Sequence, residues 1–267
     1  MADDGSSGGA NPDHAARFTD RAEDYAAHRP SYPDACIDAM LRGMGTPGLL
    51  AAADVGAGTG IMARLIAARG PLVVAIEPNG AMRAKAHEHE RVLMEDGTAE
   101  ATGLRDASVD LVVCAQAFHW FDPPAAFAEF RRVLKGTGRV ALVWNEVDAT
   151  TEIGAGYREI LDGLATDETP RVRYAAQEDP FAATDLFDDV RKAEFPLEMR
   201  HSRDGLIGRA LSASYAPKSG AGHEKLVARL GDLHAAHADG DGEVALPYVT
   251  TVWIGEVAAG ESMVRIG

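Results

Sequence analysis

The sequence predicts an α/β fold: a mostly parallel, seven-stranded sheet with helices on both faces. Three observations carry that expectation. Between residues 49 and 144, short apolar runs without alternation recur, each followed by a helix-like stretch closed by glycine or proline. Continuous apolar runs mark strands buried on both faces, as parallel strands under crossover helices are. The first run ends in a glycine-rich turn, at the strand end where open α/β sheets bind ligands.

The elements follow in order. Leu49–Val55 is the first strand, and Thr59–Arg69 a helix closed by Gly70 and Pro71. Leu72–Ile76 is the second strand; Asn79 then caps a helix expected to reach about Glu90. Val92–Met94 and Val109–Ala115 are the third and fourth strands. Asp122 and Pro123 open a helix carrying Phe127, Phe130, Val133 and Leu134, stopped by Gly136, and Arg139–Trp144 is the fifth strand. Ahead of the core, Pro12–His28 patterns as a helix with Phe18 and Tyr25 on one face. It ends where Pro30 biases Arg29 out of the α region. Pro33 can then sit in the first turn of a second helix ending near Gly43.

After Asn145 the pattern weakens. Residues 151–187 read as helical and irregular, Val190–Met199 as a strand, 219–238 as a helix and Val249–Val257 as the terminal strand. The expected organisation is a disordered 1–11, an N-terminal helical cap over 12–45 and a ligand-binding core over 46–147. A lid insertion over 148–189 follows, and 190–267 supply the remaining strands and cap helices of the same domain.

Composition excludes several classes. The 267 residues are 46% hydrophobic and 25% charged, an ordinary globular balance. The net charge of −15 and the lack of any Lys/Arg run argue against a nucleic-acid partner, since neutralising phosphates needs a basic stripe. No apolar run approaches the roughly 20 residues that span a bilayer, and Met1–Pro12 has no apolar segment of a signal peptide. The expected setting is cytoplasmic, away from membranes, and oligomeric state stays open. Cys36 and Cys114 lie in apolar stretches and read as buried thiols. His87 with His89, and His234 with His237, have no third ligand at a recognisable spacing. They read as solvated histidines on polar helix faces, and no metal is expected. Asp185, Asp188 and Asp189 likewise read as a solvated face.

The chemistry concentrates in the segment from Asp54 through Gly56, Ala57 and Gly58 to Gly60. Glycines there let the backbone turn tightly and approach a ligand. Glu77 ends the second strand about twenty residues beyond Gly56, the distance expected of an acid that bonds ribose hydroxyls. Together they point to an adenosine-type ligand. A dinucleotide loop spaces its glycines as G-x-G-x-x-G. Here they stand at 56, 58 and 60 with Ile61 next, which tilts against NAD.

This D-V-G-A-G-T-G segment resembles the first signature of class I S-adenosylmethionine (SAM)-dependent methyltransferases. Further segments are similar to the same family: Glu77-Pro78-Asn79 with Met82, Gly97–Glu100, Asp110–Phe121, and Phe130–Lys135 before Gly138. The segment from Tyr25 through Arg29-Pro30-Ser31-Tyr32-Pro33 resembles the small-molecule branch that includes trans-aconitate methyltransferase-like proteins. The resemblance is strong over 17–147 and loose beyond. It implies a Rossmann-like core that takes SAM and releases S-adenosylhomocysteine (SAH).

By position, the resemblance implies that Gly56, Gly58 and Gly60 underlie the methionine part, with Asp54 and Ala57 of the same segment also cofactor-binding. Glu77 holds the ribose, with Pro78 and Met82 also cofactor-binding, and Thr98, Ala99 and Glu100 border the adenine. Gln116 and Ala117 lie near the methionyl group, while Tyr25 and Arg29 close over the cofactor. The family often has Asp where Thr98 stands, which shifts that contact toward the backbone.

Methyl transfer from a sulfonium is an in-line displacement, so positioning and water exclusion matter most. A base is needed only if the nucleophile must lose a proton. His119, after the fourth strand, is the candidate base; a positioning role competes with it. Glu146, His201 and Tyr215 come behind it as candidate bases, and His119, Trp120, Trp144, Asn145 and Tyr215 are acceptor-side candidates. Trp253 could also line an aromatic pocket, although aromatic side chains more often fill cores. The expected function is methyl transfer to a small-molecule acceptor in bacterial specialised or small-acid metabolism. The alternative is a SAM-binding cyclase or lyase, which shares the cofactor half. Glu77→Ala is expected to weaken SAM binding by about 1.5–3 kcal/mol with little loss of stability.

Overall fold

The computed structural model describes residues 31–163, 178–213, 216–217 and 219–258. The expected disordered 1–11 and the Pro12–His28 helix lie outside the described residues, as do Tyr25, Arg29 and Tyr215. Seven strands form one sheet in the order β3-β2-β1-β4-β5-β7-β6. Strands β1 (Ala51–Val55), β2 (Leu72–Ile76), β3 (Val92–Glu95), β4 (Val109–Ala115) and β5 (Leu134–Val147) run parallel. The last strand, β7 (Val244–Val257), inserts antiparallel between β5 and β6 (Phe187–His201). Since β1 lies between β2 and β4, the order reverses there, the switch point beyond whose strand carboxyl ends open α/β sheets place their ligand crevice.

Helices α1 (Asp34–Leu41) and α2 (Ile61–Ala67) cover one face. They bury Cys36, Ile37, Met40, Met62 and Ile66 against Ala52, Val73, Leu111, Val113, Ala141 and Val143. Helix α4 (Pro123–Val133) covers the other, packing Phe127, Phe130 and Val133 on Val112, Cys114, Val140 and Leu142. These inward residues alternate along each strand, as a sheet buried on both faces requires. A third apolar cluster joins α5 (Glu152–Asp162), α6 (Arg203–Leu211) and α7 (Gly220–His237) to the start of β7 through Tyr157, Leu206, Leu230, Leu246 and Tyr248. Both cysteines are free and buried, and burial pushes the Cys36 thiol up to about 12.

Several boundaries differ from expectation, each for a local reason. The helix capped by Asn79, α3, is a single turn, Gly80–Arg83. Beyond Met82 the residues KAHEHE offer no apolar face to bury. His87 and His89 therefore lie outside any helix. Residues Pro47–Leu49 form a 3₁₀ turn, so β1 starts at Ala51. Strand β5 takes over directly from α4 at Leu134 and slips its register between Val109 and Leu111 of β4.

Strand β7 begins at Val244 and passes through Pro247. The Pro247 carbonyl accepts from Asp148 N, so its missing N–H faces the side where β5 has ended. His234 is buried within the helical cluster, which corrects the solvated reading. Asp185, Asp188 and Asp189 are exposed as expected.

Candidate functional site

The glycine turn is set by backbone. Gly56 N and Ala57 N both donate to Ile76 O at 2.9 and 3.0 Å, tying the turn to the end of β2. Gly56, Gly58 and Gly60 all have positive φ, a conformation cheap only for glycine. Space is equally strict at Gly56, where a Cβ would lie 2.5 Å from Ala117 Cβ and 3.0 Å from Phe121 Cζ. Phe121, to which local sequence pattern gives no role, roofs the turn.

Asp54 is buried beneath this loop, where its Oδ2 accepts from Ala63 N at 2.9 Å. Gly60 at the N-cap of α2 has no side chain, so Asp54 satisfies the first helical turn from the strand. Burial raises its pKa to about 7, against the Ala63 hydrogen bond, with the nearby Glu77 charge adding to the rise.

Glu77 comes to the same loop. Its Oε2 accepts from Gly58 N at 2.8 Å and its Oε1 from Asn79 N at 2.9 Å. Burial raises its pKa, opposed by those two backbone bonds and by Arg83. Two of the roughly four lone-pair directions of a carboxylate are thus used, and the rest can take ribose hydroxyls. This corrects the expectation of little stability loss in Glu77→Ala, because removal orphans two backbone N–H groups. Met82 is buried behind it, and Pro78 is exposed.

The β3–β4 segment lies next along the rim. Thr98 Oγ1 accepts from Ala101 N at 3.2 Å, closing a turn, and Ala99 is buried. Glu100 Oε1 accepts from Asp122 N at 3.1 Å, at the start of α4, while its buried Oε2 has no partner among the described residues. The segment is latched by Glu129, which sequence reading missed. Its Oε1 accepts from Thr102 N and Thr102 Oγ1 at 2.8 and 2.6 Å, and Arg132 pairs with both Glu129 and Asp106. The signal in sequence was an acid on the otherwise apolar face of the Phe127–Phe130 helix.

Gln116 ends β4 at φ +57° and donates from Nε2 to Asn145 O at 2.6 Å. A positive φ off glycine is strain held by its surroundings, and it sits at the rim of the crevice. The 3₁₀ turn Phe118–Trp120 follows, with the His119 ring 4.8 Å from that of Trp120. Trp144 is buried on the α4 face of β5. Asn145 points to the opposite face, with both amide ends engaged: Nδ2 donates to Ser31 O at 2.9 Å, and Oδ1 accepts from Thr250 Oγ1. It braces the chain entering α1 rather than lining the Trp144 face. Among the described residues no His, Cys, Asp or Glu group is set to hold a metal, and no helix is long and apolar enough to cross a membrane.

A glycine turn after β1, facing a buried acid after β2 at the switch point of this strand order, defines a nucleoside-cofactor enzyme. The comparisons specify the class. Residues 53–142 match the methyltransferase domain family. An uncharacterized methyltransferase of Mycobacterium tuberculosis is 36% identical over 234 residues, 85% of this chain and 89% of that relative. The malonyl-[acyl-carrier protein] O-methyltransferase of Geobacter sulfurreducens is 33% identical over 152 residues, 51% of this chain and 57% of its own. Among solved structures, a candidate type II methyltransferase from Anaeromyxobacter dehalogenans is 28% identical, with a TM-score of 0.65 over 86% of this chain and 97% of that one. The chain belongs to the class I SAM-dependent methyltransferases, and its methyl donor is SAM.

Proposed function

We propose that this methyltransferase acts on a small-molecule acceptor, bound beyond β4 and β5 beside the glycine turn. One observation carries the reading: His119 and Trp120, in ring contact just after β4, and Trp144, near the end of the neighbouring β5, stand at the carboxyl end of the sheet, where β4 pairs with β1, the strand that leads into the Gly56–Gly60 turn. The acidic net charge of −15 supports a small acceptor over a nucleic acid. The resemblance of Tyr25–Pro33 to trans-aconitate methyltransferase-like proteins supports the same branch. Helices α5–α7, with their own apolar cluster, serve as the acceptor-side cap. Two buried free thiols suit a reducing cytoplasm.

In this reading SAM supplies a methyl group on a sulfonium, already activated for displacement. Glu77 accepts the ribose hydroxyls, the turn backbone and Ala117 flank the methionine part, and the Glu129-latched segment Thr98–Glu100 borders the adenine. Phe121 over Gly56 excludes water from the turn. Asn145 positions the Ser31 entry and, through its carbonyl, Gln116.

Calorimetric titration with SAM, SAH and NAD tests the cofactor half. Micromolar binding of both sulfur nucleosides without NAD is expected; binding of NAD alone overturns it. Mass-spectrometric screening of small metabolites, peptides and RNA then tests the acceptor class. A methyl gain on RNA or peptide alone defeats the small-molecule reading.

A further inference from the structure

Two buried polar atoms at the carboxyl end of β5 have no hydrogen-bond partner among the described residues: Trp144 Nε1 and Glu146 Oε1. They stand two residues apart on one strand, so both side chains leave the same face of the sheet. That face is continuous with the cofactor turn. Phe121, which would touch a Cβ on Gly56, packs in the same apolar cluster as Phe118 and Trp144. The register extends the face across β7 and β6, with Trp144 opposite Thr251 and Thr251 opposite Glu194. One step back, Trp253 lies opposite Lys192, whose ammonium sits 5.6 Å from the Trp253 ring centre and pairs with Glu194 at 2.8 Å. The result is an aromatic wall holding one unmatched donor and one unmatched acceptor.

Resting on the small-molecule reading above, we propose that Glu146 is the general base of the reaction and that the acceptor is an aromatic or enolic hydroxyl. A hydroxyl oxygen accepts from the Trp144 N–H and donates to the Glu146 carboxylate, matching both atoms at once. A carboxylate acceptor has no proton to give and brings its charge against Glu146. A protonated amine cannot accept from Trp144. In the step, the O–H bond breaks heterolytically and its proton passes to Glu146 Oε1. The electron pair left on oxygen forms the O–CH3 bond, and the C–S pair returns to sulfur, leaving a neutral thioether.

The environment of the carboxyl favours this role. Burial raises the Glu146 pKa and so its basicity. Arg158 of α5 and Lys192 of β6 oppose that rise, and Glu194 of β6 adds to it.

The test uses the full chain, SAM and a set of one- to three-ring aromatic probes, each as its hydroxyl and its carboxylate, such as 2-naphthol and 2-naphthoate. Methyl ethers without methyl esters are expected. Glu146→Gln should lower ether formation by about 100-fold or more and remove the acid limb of the kcat/KM–pH profile, with SAH affinity within twofold. Trp144→Phe should raise KM for the hydroxyl probe and keep the acid limb. Esters only, no ether from any hydroxyl while SAH still binds, or a Glu146→Gln chain that keeps its ether rate and acid limb would each overturn the proposal. Loss of SAH binding by the unaltered chain would instead overturn the methyltransferase site itself, and the proposal with it.

Discussion

Asp54, buried, and Glu146, half-buried, are both carboxyls at the carboxyl edge of the sheet, and burial raises the pKa of both. Their surroundings separate their uses. Asp54 lies under the glycine turn, where its Oδ2 is committed to the scaffold through Ala63 N while its Oδ1, like one Glu146 oxygen, is buried with no partner among the described residues. Glu146 lies on the β5 face with one buried oxygen that no described residue answers. A raised pKa and an unanswered oxygen therefore do not by themselves mark a reactive group; the place of the carboxyl does, Asp54 tied beneath the loop and Glu146 on the aromatic face of β5. More broadly, the β1–β2 end builds its site from backbone and the β5–β7 end from side chains.

The largest test of this contrast is pH. The native state keeps a proton on Asp54 up to about pH 7, whereas the unfolded chain releases it near 3.8. The unfolded state therefore binds fewer protons across that window, and stability falls as pH rises through it. The swing from this group is on the order of 4 kcal/mol. Asp54→Asn keeps an oxygen for Ala63 N and removes the titration. Urea denaturation at pH 4.5 and 7.5 should show a flatter difference in the variant. An unchanged slope would mean that Asp54 ionises without cost and that the two carboxyls do not differ as argued.

Next is the backbone itself. Gly56→Ala combines a left-handed φ of +72° with a 2.5 Å approach to Ala117 Cβ. It should cost about 3 kcal/mol of stability and weaken SAH binding by displacing Ala117. Gly43→Ala is the control, with a φ of +79° and nothing within 4 Å. It should cost only the conformational part, about 1 kcal/mol. Equal losses in the two variants would show that close approach contributes nothing at the turn.

Glu77→Ala probes the junction of backbone and ligand. We expect SAH affinity to fall by about 1.5–3 kcal/mol, and stability to fall by about 1–3 kcal/mol as Gly58 N and Asn79 N lose their acceptor. Unaltered SAH affinity in a folded Glu77→Ala chain would remove Glu77 from the ribose.

The same contrast explains what was legible in the sequence. Backbone-built sites leave local signatures: Gly56, Gly58 and Gly60 need positive φ, and an acid about twenty residues on ends the adjoining strand. The five parallel strands were legible for a similar reason, since burial on both faces demands continuous apolar runs. The β5–β7 end has no such signature. The alignment of Trp144, Thr251 and Glu194 depends on β7 inserting between β5 and β6, a pairing of residues about a hundred positions apart that no local pattern encodes. Asn145 shows the same limit. Alternation along β5 is plain, but which face met the acceptor and which met Ser31 awaited the sheet. The helix after Asn79 was overextended because good helix formers persist where the apolar face does not.

The smallest effect should come from the latch behind the adenine-side segment. Glu129 Oε1 serves Thr102 N, Thr102 Oγ1 and Arg132 at once, and the arginine bonds hold its carboxyl below the usual range despite burial. Glu129→Gln keeps one acceptor oxygen for Thr102 but turns an amide N–H toward Arg132, losing the charge-assisted pair. Arg132 retains Asp106 and the Leu104 carbonyl, so the segment should loosen rather than detach. We expect a stability loss of about 1 kcal/mol and a severalfold weaker SAH affinity, with naphthol turnover at saturating SAM nearly unchanged. That division follows from geometry, because the latch reaches the site only through Thr98–Glu100 and not through the β5 face. A variant that lost turnover at saturating SAM while binding SAH normally would show that the two ends of the sheet are coupled through α4, and that the backbone-built and side-chain-built halves work as one site.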